Sequence, residues 1–425
     1  MNMHEPDLVI ENIGELVSPP FINGPHRGGD MGRLTRIKDG AIACVDGKIV
    51  ACGERKEVSE QITKSEKTRT ISAEGKLVTP GLIDPHTHLI FSGNRAKEFL
   101  MRCQGKTYAE IAKAGGGIVA STSATREASG EELEELGLQR LSMMLRHGTT
   151  SAEAKTGYGL SQESELMMLE TILKLHQDQP LELTPTFMPA HAVPKEMNKA
   201  EYVDVVIKDM LPAAASILRK YGWLGEHKAY SDVFCDEGYF TLDDTRRIFE
   251  RSAELGMSLR VHADEFVSLG AVRLACDLGA DSVDHLLAIK QEDIRCLSES
   301  NTVAVLLPGT SFFLNLDKHA PARTLIDEGA CVALGSDFNP GSCHIFSLPM
   351  IFGLACMKLK MTAEEALTAM TTNAAYAIGR GGDIGRLYSG YQADIIIWDL
   401  GALEEIPYKM VWNPILRVFK KGVEV

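Results

Sequence analysis

The sequence has no long apolar run, no closely paired cysteines and a shortage of positive charge. None of its apolar segments approaches the ~20 residues that a membrane-spanning helix needs. None of the nine cysteines belongs to a Cys-x-x-Cys pair, which argues against a zinc ribbon, a thioredoxin-like site and a disulfide-rich secreted scaffold. Lys and Arg number 44 against 58 Asp and Glu, a formal net charge of −14, whereas nucleic-acid-binding domains carry basic patches. We therefore expect a cytoplasmic protein that binds neither nucleic acid nor a membrane.

Short β-rich segments occupy both ends of the chain. Residues 7–13 and 40–52 are strand-like near the N-terminus, and Asp46-Gly47 is a hairpin turn sequence. Residues 393–400 and 415–425 are β-rich near the C-terminus. We predict that residues 1–79 and 388–425 pair as one small composite β-sandwich domain.

Between these ends, eight β-rich runs alternate with longer helical segments such as Glu131–Arg146, Gln162–His176, Leu242–Leu255 and Ala363–Ala377. The predicted strands are Val78–His88, Thr149–Lys155, Leu183–Ala190, Asp232–Asp236, Ser258–His262, Asp281–His285, Thr302–Leu307 and Cys331–Asp337. This alternation is typical of a (β/α)₈ TIM barrel. The predicted fold class is α/β, with the barrel spanning residues 80–387.

Histidines and one aspartate stand at the predicted carboxyl ends of four barrel strands. His86 and His88 are two residues apart, so in a strand both side chains point to the same side. His262 ends the fifth strand, His285 the sixth and Asp337 the eighth. A lone His-x-His pair is more often two buried structural histidines, but polar groups at several strand ends of a barrel indicate an active site.

Three imidazoles and one carboxylate suit Zn²⁺ or Fe²⁺. We predict His86, His88, His262 and Asp337 as ligands of one divalent metal per chain, with His285 beside them in a supporting or catalytic role. The fourth strand has no lysine that could carry a carbamate bridge to a second metal, and Lys155 on the second strand has no evident role as a ligand. Glu265, three residues after His262, is a candidate for general acid–base work, although an arbitrary loop glutamate usually faces solvent.

Several motifs resemble those of the amidohydrolase superfamily. Pro80–His88 is similar to its first-strand metal motif, and Gly47–Val50 and Gly390–Ile395 are similar to the two halves of its composite β-domain. Within that superfamily the chain resembles the imidazolonepropionase family, through Asn94-Arg95, Gln104–Tyr108, Ala114–Ile118, Glu153–Leu160, Ala190–Pro194 and Gly335–Ser342. The chain departs from that family's pattern at Thr156, at Ala263 and in the stretch 401–413.

The resemblance implies hydrolysis of the cyclic amide of 4-imidazolone-5-propanoate, a small anionic heterocycle of histidine degradation, to N-formimidoyl-L-glutamate. Glu265, His285 and Asp337 are the expected catalytic residues. The expected substrate-binding residues are Arg95, Tyr108, Tyr158, His191, Glu265, Asn339, Gly341 and Ser342. The family also implies a homodimer.

Two other functions are compatible with parts of the pattern. A deaminase of the same superfamily, acting on a nucleobase or a related aminated heterocycle, can share the metal ligands, Glu265 and His285. A barrel that has lost activity and serves as an interaction scaffold is the non-enzymatic alternative, and the complete ligand set argues against it. Arg95, Tyr158 and Ser342 favour the propanoate substrate over that of a deaminase.

Overall fold

In the part of the chain that the structure describes, the strands form two eight-stranded sheets, one from the middle of the chain and one from its two ends. The computed structural model describes residues 3–106, 110 and 116–425. The strands are β1 (Leu8–Ser18), β2 (Thr35–Val45), β3 (Lys48–Glu54), β4 (Arg69–Ser72), β5 (Leu77–Pro80), β6 (Leu82–Asp84), β7 (Thr149–Lys155), β8 (Glu182–Ala190), β9 (Tyr230–Cys235), β10 (Ser258–Ala263), β11 (Ser282–His285), β12 (Val303–Leu306), β13 (Val332–Leu334), β14 (Ile395–Trp398), β15 (Ile415–Lys420) and β16 (Val423–Glu424).

Strands β6 to β13 form the predicted barrel. Each is parallel to the next in chain order, from β6 at one end of the row to β13 at the other. The first and last strands meet just beyond their ends, where the Asp337 amide donates to the His86 carbonyl (3.0 Å) and the His88 amide to the Phe338 carbonyl (2.9 Å). The (β/α)₈ architecture is confirmed, and the same hydrogen bonds that close it align the two segments carrying candidate metal ligands.

The first predicted strand, Val78–His88, is wrong as a single strand. Residues of β5 pair with β14 in the terminal sheet, whereas β6 pairs with β7 in the barrel. The chain crosses from one sheet to the other at Gly81, where a Cβ would meet the Thr150 side chain at 2.3 Å. His86 and His88 consequently follow the strand instead of ending it, although the isolated bridge between Thr87 and Phe338 keeps this segment extended.

Helices surround the barrel. They are α1 (Arg55–Gln61), α2 (Ala96–Cys103), α3 (Ile118–Glu127), α4 (Gly130–Arg146), α5 (Gln162–Asp178), α6 (Lys199–Val205), α7 (Leu211–Lys220), α8 (Leu242–Glu254), α9 (Ala271–Asp277), α10 (Gln291–Glu299), α11 (Pro308–Phe313), α12 (Ala322–Asp327), α13 (Leu348–Leu359), α14 (Ala363–Met370), α15 (Thr372–Ala377) and α16 (Glu405–Tyr408), with a 3₁₀ turn at Gly28–Gly32, a π-helical turn at Val206–Met210 and a short turn at Trp223–Glu226. The predicted helix Ala363–Ala377 is two helices, because Thr371 leaves the helical conformation (φ −124°, ψ −91°). No helix in the described ranges has the length and apolarity to span a membrane.

The terminal sheet packs against the barrel and also encloses a core of its own. Alternate residues of β14 separate the two: Ile395 and Ile397 belong to the sheet's own core, whereas Ile396 and Trp398 pack in the barrel's core. This is the two-residue period of a strand buried on both faces. The β2–β3 hairpin returns to the C-terminal segment, where the Ile49 amide donates to the carbonyl of residue 391 (2.9 Å). Both chain ends therefore build one unit beside the barrel, as the sequence predicts.

Candidate active site

Three histidine side chains converge beyond the carboxyl ends of the barrel strands. His86 and His88 follow β6, His262 lies in β10, and all three are buried. Their candidate ligand atoms lie within 4.8 Å of one another, and the Nε2 atoms of His88 and His262 are 3.3 Å apart. Nε2 of His86 is buried without a hydrogen-bond partner among the residues that the structure describes. An unpartnered buried nitrogen in a cluster of imidazoles fits a bound metal ion.

Asp337 lies just past β13, and its carboxylate faces the Nε2 atoms of His86 and His88. Its Oδ1 lies 3.5 Å from Nε2 of His86 and 3.9 Å from Nε2 of His88. Its other oxygen, Oδ2, accepts a hydrogen bond from the Thr310 hydroxyl (2.6 Å), which fixes the orientation of the carboxylate. Three imidazole nitrogens and one carboxylate oxygen make a donor set that fits Zn²⁺ or Fe²⁺.

The electrostatics of the cluster favour neutral imidazoles at His86 and His88. Burial lowers the pKa of His86 and His88 well below the ordinary value, and the nearby ammonium of Lys155 lowers the pKa of His86 further. Metal ligation requires the unprotonated ring. Burial also raises the pKa of Asp337 to about 6, so a neighbouring cation would favour its ionised, ligating form.

Two buried carboxylates stand behind the histidines. Asp284 Oδ2 lies 2.6 Å from Nδ1 of His86, and Asp232 Oδ1 lies 3.1 Å from Nδ1 of His262. A ring whose Nδ1–H donates to a carboxylate presents Nε2 to the metal. Sequence analysis did not single out either aspartate, nor the contact of Lys155 with Asp232 (2.8 Å). The available signal was a charged residue inside a β-rich run, but the sequence does not say which charges meet across strands.

His285 and Glu265 lie beside the histidine cluster and line the same cavity. The rings of His285 and His262 are 5.1 Å apart between centroids, and His285 Nδ1 lies 3.8 Å from Glu265 Oε2. Burial, reinforced by the charge of Asp337, raises the pKa of Glu265 well above its ordinary value. A raised pKa favours the protonated carboxyl group, which is the form that can act as a general acid.

The cavity has a volume of about 290 Å³ and opens in front of these groups. Its wall includes most of the predicted substrate-binding residues, namely Arg95, Tyr158, His191, Glu265, Asn339 and Ser342. Tyr108 lies outside the described residues. His191 stacks on His88 with ring centroids 4.8 Å apart and an interplanar angle of 16°. These substrate contacts therefore share one pocket with three of the candidate metal ligands, His88, His262 and Asp337.

The loop after β13 holds part of this wall. The Asn339 Oδ1 atom accepts hydrogen bonds from the amides of Gly341 (2.8 Å) and Ser342 (2.7 Å), so this carbonyl is engaged within the loop. A Cβ on Gly341 would lie 1.8 Å from Nη1 of Arg95. Only glycine leaves room for the Arg95 side chain here. Arg95 in turn donates two hydrogen bonds to Glu98, at 2.8 and 2.5 Å.

The sequence is similar to known proteins over its whole length. Residues 77–425 match the model of the Amidohydrolase family. An imidazolonepropionase of Symbiobacterium thermophilum is 45% identical over 425 residues, covering 99% of this chain and 97% of the relative. An imidazolonepropionase of Alkaliphilus metalliredigens is 42% identical over 418 residues, covering 98% and 97%.

Solved structures share the fold at low sequence identity. An adenosine deaminase from Xanthomonas campestris with bound zinc superposes with a TM-score of 0.73 at 18% identity, covering 100% of this chain and 93% of the other. A guanine deaminase from E. coli gives 0.68 at 15% identity, covering 98% and 99%. These two likenesses concern the fold, whereas the full-length relatives and the family match define the family. The chain belongs to the amidohydrolase family and, within it, to the imidazolonepropionases.

Proposed function

We propose that the protein hydrolyses 4-imidazolone-5-propanoate to N-formimidoyl-L-glutamate, a reaction of histidine degradation. The observation that carries the proposal is the similarity, at 45% and 42% identity over almost the whole chain, to two imidazolonepropionases. The pocket is consistent with it, since arginine side chains and three of the four candidate metal ligands line one cavity. An anionic ring substrate needs both a cation for its carboxylate and a group that activates water.

The candidate ligands are His86, His88, His262 and Asp337, which would hold one Zn²⁺ or Fe²⁺. A divalent ion bound there would supply Lewis acidity and activate water for attack on the ring carbonyl. Asp337 is placed to take a proton from the attacking water, because its carboxylate faces the histidine nitrogens.

The other side chains handle the ring. His285 would donate a hydrogen bond to the carbonyl oxygen as negative charge develops on it. Water oxygen bonds to the carbonyl carbon, the carbon–nitrogen bond of the ring breaks, and the leaving nitrogen takes a proton from Glu265. The raised pKa of Glu265 suits this donation. Arg95, Tyr108, Tyr158, His191, Asn339, Gly341 and Ser342 are the proposed substrate-binding residues.

The role of Glu265 is tested by Glu265→Gln. We expect the metal content to be unchanged and kcat to fall by about 10²–10⁴-fold, the range for loss of a general acid or base. Metal analysis and steady-state kinetics on the same preparation measure both. Glu299→Gln, an exposed position on α10, is the matched control, and a near-normal kcat for Glu265→Gln would remove Glu265 from the mechanism.

The deaminase alternative can be distinguished from the imidazolonepropionase activity by the product that is formed. The fold neighbours named adenosine and guanine deaminase are the observation that favours it. Freshly generated imidazolonepropanoate should lose its absorbance in the presence of the protein, with no ammonia released from adenosine or guanine. Ammonia release without imidazolone turnover would decide for the deaminase.

We also propose a cytoplasmic homodimer. The nine cysteines are all free thiols, which suits a reducing compartment. Light scattering on the purified protein is expected to give twice the chain mass of 46.4 kDa, and a monomer at working concentration would contradict the dimer.

A further inference from the structure

Lys155 ends β7 as a completely buried ammonium group that the reaction scheme does not use. Its side chain is 0% exposed. Its Nζ lies 2.9 Å from Oε1 of Glu153, 2.8 Å from Oδ2 of Asp232 and 3.8 Å from Oδ2 of Asp284. All three carboxylates are themselves buried. A cation this deep is costly to desolvate unless such partners surround it.

Each of the three carboxylates has a second contact, and each contact leads to the metal-ligand histidines. Asp232 lies 3.1 Å from Nδ1 of His262, through the oxygen that does not contact Lys155. Asp284 lies 2.6 Å from Nδ1 of His86. The remaining oxygen of Glu153 accepts from the amide of Thr87 (3.1 Å), the residue between His86 and His88. One ammonium group is thus connected through one carboxylate each to the rings of His86 and His262, and through Glu153 to the backbone between His86 and His88.

Arg260 makes a direct contact with only one of these three carboxylates. Its Nη2 lies 3.4 Å from Asp284, and its other hydrogen bonds go to the carbonyls of Pro85 and Ala377. Lys155 alone among the described cations contacts Glu153, Asp232 and Asp284 together within 4 Å. Without it, two or three buried carboxylates would repel one another and would be free to take other rotamers or bind protons.

We propose that Lys155 is the positioning residue of the metal centre, which holds three carboxylates in place and through them orients the rings of His86 and His262 and fixes the backbone between His86 and His88. It touches neither the pocket nor the candidate ligand atoms, so it acts only through these intermediates. The proposal concerns metal binding and does not depend on the identity of the substrate. Its test therefore needs no turnover, and a failed imidazolone assay would leave it standing.

The test is the rate at which zinc-loaded protein loses Zn²⁺ to an excess of chelating dye. Lys155→Met keeps the length of the side chain and removes its charge. We expect metal loss at least ten-fold faster than in the wild type, within the range known for partners of metal ligands. The visible spectrum of Co²⁺-loaded protein should also change, because the histidine geometry is altered. Lys174→Met is the matched control, because Lys174 on α5 is exposed and pairs with Glu134 on the protein surface. This variant should behave as wild type.

If Lys155 served only to balance charge, removing one of its carboxylate charges together with its own would restore zinc retention. Lys155→Met combined with Glu153→Gln removes one negative charge together with the positive one. Fast zinc loss in this double variant, measured at a temperature where it is fully folded, supports positioning. Wild-type zinc retention and a wild-type cobalt spectrum in the double variant, or in Lys155→Met itself, would overturn it.

Asp232→Asn covers the case in which Lys155→Met does not fold. The asparagine side chain has the shape of aspartate but lacks the negative charge through which Asp232 contacts both Lys155 and His262. Faster zinc loss with an altered cobalt spectrum supports the last step of the link, from Asp232 to His262, whereas zinc loss and a cobalt spectrum equal to those of the wild type contradict the whole link.

Discussion

Two arginine side chains line the cavity, and they differ in how far their charge is already balanced. Arg95 donates two hydrogen bonds to the carboxylate of Glu98. Arg102 donates from Nη2 to the carbonyl of Gly341 (3.0 Å), and its buried Nε has no partner within the described part of the chain. Arg95, Arg102 and Glu98 together carry one net positive charge. Arg102 therefore supplies cationic character that sequence analysis assigned to Arg95 alone.

We expect both arginines to contribute to binding of the substrate carboxylate. A hydrogen bond to a charged group contributes about 1.5–3 kcal/mol, so Arg95→Gln and Arg102→Gln should each raise KM for the propanoate substrate by roughly ten-fold or more, with a smaller effect on kcat. Steady-state kinetics measures this, with the exposed Arg55→Gln as control. If KM stays at the wild-type value in both variants, the carboxylate binds elsewhere.

The candidate ligands could be predicted from the sequence, whereas the buried charged residues that contact the ligand histidines could not. His86, His88, His262 and Asp337 stand at or just beyond strand ends, and the barrel brings all strand ends to one rim. The partners of Lys155 depend on side-chain directions on β7, β9 and β11, strands that are far apart in sequence. Periodicity tells which side of a strand a residue faces, but it does not measure distances across a barrel.

At the scale of a single element, the loop after β13 leaves space at Gly341 for the guanidinium group of Arg95. The Cβ that alanine would add at Gly341 lies 1.8 Å from Nη1 and 2.5 Å from Cζ of Arg95. Since the guanidinium is the far end of a long side chain, it can move aside at small cost in stability. Its alignment towards the cavity would then be lost.

Gly341→Ala is therefore expected to raise KM several-fold while leaving the melting temperature within a few degrees of wild type. Kinetics and thermal unfolding of the same preparation separate the two effects. Gly382→Ala is the control, because nothing lies within 4 Å of a Cβ there. A variant with unchanged KM would mean that Arg95 does not need this position for binding.

Element type was easier to predict than element boundaries. The segment Val78–His88 is apolar and β-rich along its length, yet β5 and β6 belong to different sheets because their partners, β14 and β7, differ. The change of partner at Gly81 depends on residues more than 300 positions away, such as Asp394, whose carbonyl accepts from the Gly81 amide (2.9 Å). Local sequence cannot report such a partner.

At the scale of the whole molecule, a group of charges joins the barrel to the terminal sheet. Glu182, the first residue of β8, lies 2.8 Å from Lys420 on β15, 2.7 Å from Lys421 and 3.5 Å from Arg380. Lys420 also contacts Asp394 (2.7 Å). Burial disfavours the charge on Glu182, but Lys420 and Arg380 outweigh it and hold its pKa far below the ordinary value. Ionised Glu182 thus stabilises the contact between the two units.

This depressed pKa makes the contact sensitive to acid. Because the folded state binds the Glu182 proton more weakly than the unfolded chain, the stabilisation is complete above the unfolded pKa of about 4.3 and is lost as the pH falls towards the lower folded value. Glu182→Gln should lower the free energy of unfolding at pH 7 by about 2 kcal/mol, the value of hydrogen bonds to a charged group. It should also flatten the decline in melting temperature below about pH 4.3, where the wild type loses what the variant already lacks. Thermal unfolding from pH 7 to pH 3 measures both effects. Glu60→Gln, at an exposed position on α1, is the control. If the melting temperature of Glu182→Gln falls in parallel with that of the wild type, the acid sensitivity lies elsewhere in the molecule.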